Sequence, residues 1–295
     1  MAGGPHPDKV YLELLDHVLN YGATKPDRTG IGTLSVFGRT FHLDTLHTFP
    51  LLTTKFVSLK NVATELKWFL KGDTNIRYLL DNGCNIWNDD AYNRYCRVWN
   101  YDLDEPLSKK DYIERVKTDD EFAKVWGDLG PIYGHQWRNW NGNDQLAKLM
   151  DTLKEDPNSR RMIVNSWNVD DLGVMGLPPC HFSFQVYHER GRIDLMWNQR
   201  SADLFLGLPY NIASYALLLR LIAHETNMLP GYIIGALGDV HLYQNHLGAA
   251  YKQLQLHAYE APKLKIISSD ILNGEFEYEL LGYESNDAIK AKLNT

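Results

Sequence analysis

Apolar residues recur at helical spacing in several stretches of the chain. The pattern predicts a first helix from Val10 that Gly22 ends, and a second helix over residues 59–71. A nearly all-apolar run over residues 212–223 predicts a long central helix, with Asn211 at or near its N-cap.

Other stretches alternate between apolar and polar residues, which is typical of strands. Residues 182–187 and 192–197 alternate in this way, and residues 188–191 between them predict a hairpin with a four-residue connection. A polar run, residues 198–203, then stands between apolar residues on both sides. Neither a core nor a free loop usually has this composition, so we interpret the run as a segment that faces a ligand.

Composition limits the class of protein. The 295 residues include 44% hydrophobic and 23% charged residues and carry a net charge of -7. This is ordinary for a globular protein with a sizeable core, and the negative charge argues against a general nucleic-acid or membrane surface. Three cysteines without a CxxC spacing indicate neither a disulfide framework nor a metal site, and no signal sequence or membrane-spanning run is evident. We therefore expect a cytoplasmic protein.

One segment differs from the rest in its charge. Residues 89–125 are rich in Asp, Glu and Lys, but they also contain several aromatic residues. The aromatic residues could pack this segment against the rest of the chain, which favours a charged surface insertion or a small helical subdomain over a linker. Nothing in the segment indicates chemistry.

Cys180 follows two prolines and precedes His181 at the start of a predicted strand. Each proline fixes its own φ and restricts the residue before it, so the chain reaches Cys180 in a preset conformation. A cysteine in this position is a candidate nucleophile. The alternative is a small buried hydrophobic residue, which is the commoner role of an intracellular cysteine.

Other polar residues also have two interpretations. Glu65 lies beside the apolar face of its helix, as either a surface group or a buried acid with a shifted pKa. Arg28 lies in a glycine-rich loop that on its own suggests only a solvated turn. Arg160 and Arg161 precede a short apolar stretch, as a solvated edge or as a pair that grips a phosphate.

Taken together, these motifs closely resemble the thymidylate synthase family that uses folate and a cysteine nucleophile. The resemblance covers nearly the whole chain and is carried, in family order, by residues 27–30, 65–75, 130–134, 159–161, 179–181, 199–201, 205–215 and 241–243. It implies a single α+β domain over residues 1–295, built on a large twisted mixed sheet with helices packed on it. It also implies a homodimer in which two such sheets pack face to face.

The resemblance further implies the chemistry. Cys180 would add to C6 of dUMP, so that C5 can attack the one-carbon unit of 5,10-methylenetetrahydrofolate, and no metal would be needed. Glu65 would organise proton transfers at the pyrimidine O4, and Arg200 would favour the thiolate form of Cys180. The catalytic set implied by the resemblance is Cys180, Glu65, Tyr133, His181, Arg200 and Asp203.

The nucleotide would be held by residues from two subunits. Arg160 and Arg161 match arginines that reach the neighbouring active site of a dimer, and Arg28 and Arg200 match phosphate-binding arginines of the same subunit. Asn211 matches the side chain that reads N3–H and O4 of uracil. The remaining substrate-binding residues implied are Gln199, Ser201, Asp203, His241 and Tyr243.

The folate cleft is implied by a third set of positions. Lys55 matches a site that could meet the glutamate tail of the folate. The other implied cofactor-binding residues are Ile86, Trp87, Leu177, Asp203, Gly207 and Tyr210.

Two features depart from the family pattern. Residues 292–295, Lys-Leu-Asn-Thr, stand where the family usually has a short apolar tail that closes over the folate, and Asp90 stands where many relatives have a tryptophan. Poor closure would let water reach the exocyclic methylene intermediate before hydride does, giving 5-hydroxymethyl-dUMP. The alternatives are therefore a deoxyuridylate hydroxymethylase and, more remotely, a non-catalytic nucleotide- or RNA-binding module.

Overall fold

The computed structural model describes residues 4–99 and 105–294. The helices of this part are α1 (Pro7–Tyr21), α2 (Leu59–Leu70), α3 (Ile76–Asp81), α4 (Asn88–Val98), α5 (Lys109–Thr118), α6 (Asp120–Trp126), α7 (Tyr133–Asn139), α8 (Gln145–Glu155), α9 (Gly207–Glu225) and α10 (Leu247–Leu254). The strands are β1 (Ala23–Lys25), β2 (Thr33–Asp44), β3 (Ile163–Asn165), β4 (His181–Glu189), β5 (Arg192–Asp203), β6 (Leu229–Tyr243), β7 (Lys263–Asp270) and β8 (Glu275–Leu281).

A large mixed sheet organises the fold. Its strand order is β1-β2-β6-β5-β4-β3, with β5 and β6 parallel and the other neighbours antiparallel, while β7 and β8 form a separate hairpin. Along β5, buried and half-exposed residues alternate, because successive side chains point to opposite faces of a sheet. Helices cover the buried face, and α9 packs across β5 and β6. The predicted α+β fold is confirmed.

The central helix begins earlier than the sequence predicts. It starts at Gly207, not at Ile212, so Asn211 lies in the second turn and the predicted N-cap role is wrong. Pro209 fits the first turn because its missing N–H is one of the donors that have no partner within a helix. The Asp203 carboxylate accepts hydrogen bonds from the backbone N–H groups of Phe205 (3.0 Å) and Leu206 (3.1 Å), which orders the turn before the helix.

The hairpin between β4 and β5 is also tighter than predicted. Its connection is two residues, Arg190 and Gly191, with φ values of 51° and 79°. Two positive φ values are the signature of a type I′ turn, whose twist matches that of paired strands. The polar run over residues 198–203 therefore belongs to β5 itself, and its side chains alternate between the two faces of the sheet.

The charged segment folds into α4, α5 and α6, and residues 100–104 within it lie outside those described. Its aromatic residues pack together as the composition suggests. The ring of Tyr95 stacks on that of Tyr112 at 4.9 Å and meets the edge of Trp126 at 5.1 Å. This aromatic cluster joins the three helices to one another.

A buried carboxylate ties α1 to the segment that leads into α2. The Asp8 side chain is fully buried and accepts hydrogen bonds from the backbone N–H groups of Thr53 (2.9 Å) and Thr54 (2.8 Å). It also accepts from both threonine hydroxyls, at 2.9 and 2.6 Å. Because four donors converge on one side chain, its loss would leave buried N–H groups without a partner.

We predict that Asp8→Ala lowers the free energy of unfolding by about 3 kcal/mol, because buried donors lose a charged acceptor. Urea unfolding measures this as a lower midpoint at an unchanged slope. Glu13→Ala, which removes an exposed carboxylate from the same helix, is the control and should change little. Equal midpoints for the two variants would contradict the role given to Asp8.

Candidate active site

Cys180 is held by its backbone at the start of β4. Its N–H donates to the Tyr133 hydroxyl at 2.8 Å, and its carbonyl accepts from the N–H of Arg200 at 2.8 Å. The Arg200 guanidinium donates to the carbonyls of Pro178 (3.0 Å) and Pro179 (2.9 Å). The proline elbow is therefore fastened to β5 from both sides, which fixes where the thiol points.

Several charged groups surround the Cys180 thiol. Burial raises the pKa of Cys180, the nearby Arg200 and Arg28 lower it, and Asp90 and Asp203 raise it. The effect predicted for Arg200 is therefore present, but burial outweighs it. Without a bound substrate, the protonated thiol is favoured relative to a free cysteine.

Neutral aromatic groups also lie close to Cys180. The His181 ring stacks on Tyr133, with ring centroids 4.4 Å apart, and its Nδ1 lies 2.8 Å from the Tyr215 hydroxyl. Burial lowers the pKa of His181 to about 3, so the ring stays neutral near pH 7. Any proton that passes here moves along hydrogen bonds between neutral groups. Tyr215 is a site residue whose contact with His181 the sequence analysis missed.

Glu65 is a carboxylic acid that contacts the same aromatic groups through Trp87. The Trp87 indole N–H donates to its carboxylate at 2.7 Å, and the Trp87 ring lies 5.9 Å from that of Tyr133. Burial raises the pKa of Glu65 to about 7, although the hydrogen bond from Trp87 opposes the shift. A carboxyl with a pKa near neutrality can both give and take a proton, as general acid–base catalysis requires.

A chain of hydrogen bonds sets the orientation of the Asn211 amide. The Trp197 indole can only donate, and its N–H meets the Gln199 Oε1 at 3.1 Å. The Gln199 amide nitrogen must then point the other way, where it donates to the Asn211 Oδ1 at 3.1 Å. The Asn211 NH₂ group is thereby left to donate to a ligand, while the second lone pair of Oδ1 can still accept a hydrogen bond.

The parallel pairing of β5 and β6 brings further polar groups to this end of the sheet. Ser201 pairs with Asp239, and Asp203 pairs with His241. The His241 Nδ1 lies 3.3 Å from the Asp239 carboxylate, and its ring meets that of Tyr243 edge to face at 5.4 Å. The hydroxyl of Ser201, the imidazole of His241 and the phenol of Tyr243 therefore lie at the same end of the sheet.

The four arginines are not brought together within one chain. Arg28 is exposed, in a loop that Asp27 orders by accepting hydrogen bonds from Thr29 (2.9 Å) and from the N–H of Gly32 (2.7 Å), and it is close enough to act on the pKa of Cys180. Arg160 and Arg161 are exposed just before β3, the edge strand of the large sheet, and no contact among the described residues joins them to Cys180.

Of the predicted folate positions, Gly207 lies beside two of the predicted substrate-binding residues. Gly207 opens onto the space between Asp203 and Asn211, since a Cβ at that position would lie 3.5 Å from the Asp203 Cβ and 3.9 Å from the Asn211 Oδ1. A side chain there would fill space that a flat ligand could use. Three other predicted folate positions, Ile86, Leu177 and Tyr210, are partly buried and pack against the core.

Lys55 is buried in the described conformation. Its ammonium donates to the Phe205 carbonyl and lies 3.9 Å from the centroid of the Phe205 ring. Burial lowers the pKa of Lys55 to about 8, although Asp203 opposes the shift. The side chain would have to turn outward to meet the glutamate tail of a folate.

Comparison with known proteins shows which family the chain belongs to. The family model for thymidylate synthase matches residues 9–295. The chain belongs to the thymidylate synthase family. It is similar to the thymidylate synthase of Mycoplasma genitalium, with 48% identity over 288 residues that cover 97% of this chain and 99% of the relative.

More distant relatives give the same result. The thymidylate synthase of Mycoplasma mobile is 46% identical over 287 residues, which cover 96% of this chain and 98% of the relative. That of Listeria innocua is 44% identical over 312 aligned residues, which cover 97% and 99%. These relatives carry the name of the methyltransferase, so they do not favour the hydroxymethylase alternative.

Two kinds of feature are absent from the described residues. No helix in residues 4–99 and 105–294 combines the length and the apolar character needed to cross a bilayer. In the same part of the chain, no group of three or more His, Cys, Asp or Glu side chains could hold a metal ion.

We predict that Glu65→Gln changes how stability depends on pH. Glu65 has a folded-state pKa of about 7 against an ordinary value of 4.5, so between these values the folded state holds a proton that the unfolded state has lost. Stability should fall as pH rises through this window, because only the folded state keeps the proton. The expected fall is about 1 to 2 kcal/mol, less than the full pKa shift would give, since the Glu65 side chain is partly exposed. The glutamine variant should lack this fall.

Urea unfolding of both proteins at about pH 5 and about pH 8 measures the difference. Glu13→Gln, on the exposed face of α1, is the matched control and should follow the wild type. Parallel pH dependence of the wild type and the Glu65 variant would show that Glu65 has an ordinary pKa.

We also predict that Asp90→Asn lowers the pKa of Cys180, because it removes a negative charge that acts on the thiol. Alkylation by iodoacetamide, followed over pH in the peptide that contains Cys180, should reach its midpoint at lower pH. Asp89→Asn removes the neighbouring charge, which pairs with Lys109, and should leave the profile in place. If both variants titrate like the wild type, Asp90 does not act on the nucleophile.

Proposed function

We propose that this chain is the catalyst of reductive methylation of dUMP to dTMP, with Cys180 as the nucleophile. The observation that carries the proposal is the arrangement at Cys180. Its backbone is fixed by Tyr133 and Arg200, and Glu65, with a pKa near 7, joins the same network through Trp87 and Tyr133. A fixed thiol and a neutral-range acid are what addition to a pyrimidine ring requires.

The reaction begins when the Cys180 thiolate adds to C6 of dUMP, which makes C5 nucleophilic. Methylenetetrahydrofolate supplies the one-carbon unit and then the hydride, and leaves as dihydrofolate. Glu65 holds or moves the proton at O4 as charge develops there, and C5 loses its proton before the hydride arrives. Cys180 is finally expelled from C6, which restores the free thiol together with dTMP.

Substrate binding would itself activate the nucleophile. Burial raises the pKa of Cys180 in the free protein, while Arg200 and Arg28 oppose that shift. We propose that a bound phosphate orders these guanidinium groups around it and that Ser201 adds a hydroxyl donor. His241 and Tyr243 would contact the sugar, at the end of β6 beside Ser201.

Asn211 would select the base. Its amide is oriented by Gln199, so its NH₂ group can donate to O4 of uracil while Oδ1 accepts from N3–H. Cytosine has an amino group and an unprotonated N3 at these positions, so both hydrogen bonds would be lost. The arrangement favours dUMP over dCMP.

We propose that the active unit is a homodimer joined through the open face of the large sheet. That face is half-exposed and presents apolar side chains, among them Ile163, Trp167 and Phe182, which border a cavity of about 400 Å³ beside Arg200. Arg160 and Arg161 lie at the edge of the sheet, from which they could reach the phosphate site of a second copy. An interface of this kind would cover apolar surface that a monomer exposes.

The folate would lie against the wall of the cleft beside the nucleotide. Trp87, Ile86 and Leu177 supply apolar surface, and Asp203 with Gly207 would face the pterin. Tyr210 would border the same cleft, and Lys55 would meet the glutamate tail after turning outward. A free thiol as nucleophile suits a reducing compartment such as the cytoplasm, and the net charge of -7 gives no role to nucleic acid.

A product assay tests the function. Purified protein is mixed with dUMP and methylenetetrahydrofolate, the nucleotide is identified by mass, and dihydrofolate is followed by absorbance. We expect dTMP with an equal amount of dihydrofolate, and Cys180→Ser should abolish turnover while largely retaining dUMP binding. Hydroxymethyl-dUMP without dihydrofolate would favour the hydroxymethylase, and wild-type turnover by the serine variant would exclude Cys180 as nucleophile.

We predict that Asn211→Asp shifts the preference from dUMP towards dCMP, because a carboxyl group can accept from the cytosine amino group or protonate N3. The ratio of kcat/KM for the two nucleotides should move by roughly 100-fold, the loss of one or two buried hydrogen bonds. Asn20→Asp, on the exposed end of α1, is the control for the added charge. An unchanged ratio would remove Asn211 from base selection.

A further inference from the structure

Residues 289–294 are docked on the body of the fold by specific polar contacts. The buried His246 ring contacts the Lys292 carbonyl through Nε2 at 2.8 Å. The side-chain amides of Asn245 and Asn294 form a reciprocal pair, with hydrogen bonds of 3.0 and 3.1 Å. Ile289 and Ala291, which precede these polar contacts in the chain, pack against the hydrophobic core. Two of the residues that depart from the family pattern therefore have partners, Lys292 through its carbonyl and Asn294 through its amide.

The chemistry of these contacts makes them directional. A carbonyl can only accept, so the Nε2 of a neutral His246 must carry its single proton. In the Asn245–Asn294 pair, each amide gives one donor and one acceptor, and an alanine at either position would remove both hydrogen bonds. The backbone of the segment and one of its side chains are thus held by two consecutive residues.

The same two residues adjoin the candidate active site. Asn245 and His246 lie in the single helical turn after β6, and the His246 ring lies 5.6 Å from that of Tyr243 and 5.7 Å from that of Phe205. Phe205 in turn carries the Lys55 ammonium over its ring and on its carbonyl. Release of the segment would free one side of His246 and loosen the packing behind Tyr243 and Phe205.

We propose that Asn245 and His246 are positioning residues that hold segment 289–294 over the Tyr243 end of the site, with Asn294 as the complementary contact in the segment. An amide pair and a histidine–carbonyl hydrogen bond add to the apolar contacts that Ile289 and Ala291 make with the core. The consequence for catalysis, which rests on the proposed function, is that docking keeps water from the exocyclic methylene before hydride transfer.

Tryptic cleavage after Lys292 tests the docking without using activity. Trypsin must attack the carbonyl that His246 holds, so the folded protein is cut there only when the segment is released. Asn245→Ala leaves the cleaved sequence untouched and should raise the rate of this cut by roughly fivefold, as expected for losing about one net hydrogen bond. Asn20→Ala, which removes an exposed amide from α1, should not change the rate.

Asn294→Ala should raise the rate of cleavage by a similar factor. The variant that carries both Asn245→Ala and Asn294→Ala should be cut no faster than either single variant, because each change alone removes both hydrogen bonds of the Asn245–Asn294 pair. Cleavage of the denatured variants corrects for the altered sequence beside the scissile bond. Equal rates for the wild type and Asn245→Ala, or additive effects in the double variant, would overturn the proposed pair.

The ratio of hydroxymethyl-dUMP to dTMP among the products tests whether Asn245 has a positioning role. Asn245→Ala should increase the fraction of dUMP converted to hydroxymethyl-dUMP at the expense of dTMP, whereas mere loss of folded protein would lower both products in proportion. An unchanged partition together with faster cleavage would overturn the role in catalysis. If the wild type forms neither product, the proposed function fails, while the cleavage result still decides the docking.

Discussion

The hydrogen bond from the Cys180 N–H to the Tyr133 hydroxyl is the contact on which the candidate site depends. Tyr133 begins α7 and Cys180 immediately precedes β4, so this bond joins a helix to the large sheet at the candidate site. Arg200 completes the arrangement from β5 by fastening the proline elbow. The position of the thiol is therefore set by three elements that are distant in sequence and rigid in the fold.

Burial then determines the charge state of the groups around that thiol. It raises the pKa of Glu65 to about 7, lowers the pKa of His181 to about 3 and raises the pKa of Cys180. All three shifts favour the neutral form, because a low-dielectric site disfavours charge of either sign. The groups of such a site stay neutral, and therefore weakly reactive, until a charged ligand binds beside them. The neighbouring arginines could bind the phosphate of such a ligand.

Much of the site could be predicted from sequence because its motifs are local. The proline elbow before Cys180 and the helix that carries Glu65 needed only short-range patterns, and α2 was predicted within one residue of its observed end. Two predictions of element boundaries were wrong, because local patterns allowed more than one boundary. They concern the first residue of α9 and the length of the turn between β4 and β5. Contacts between distant elements, such as that of His181 with Tyr215, have no local signal.

Covalent addition by Cys180 is the central claim, and the mass of the quenched enzyme tests it most directly. Protein mixed with dUMP and methylenetetrahydrofolate would be denatured during a single turnover, digested and analysed by mass spectrometry. We expect a nucleotide adduct on the peptide that contains Cys180 and none on the peptides of Cys84 or Cys96. Formation of dTMP with no adduct, or with an adduct on another cysteine, would contradict the account.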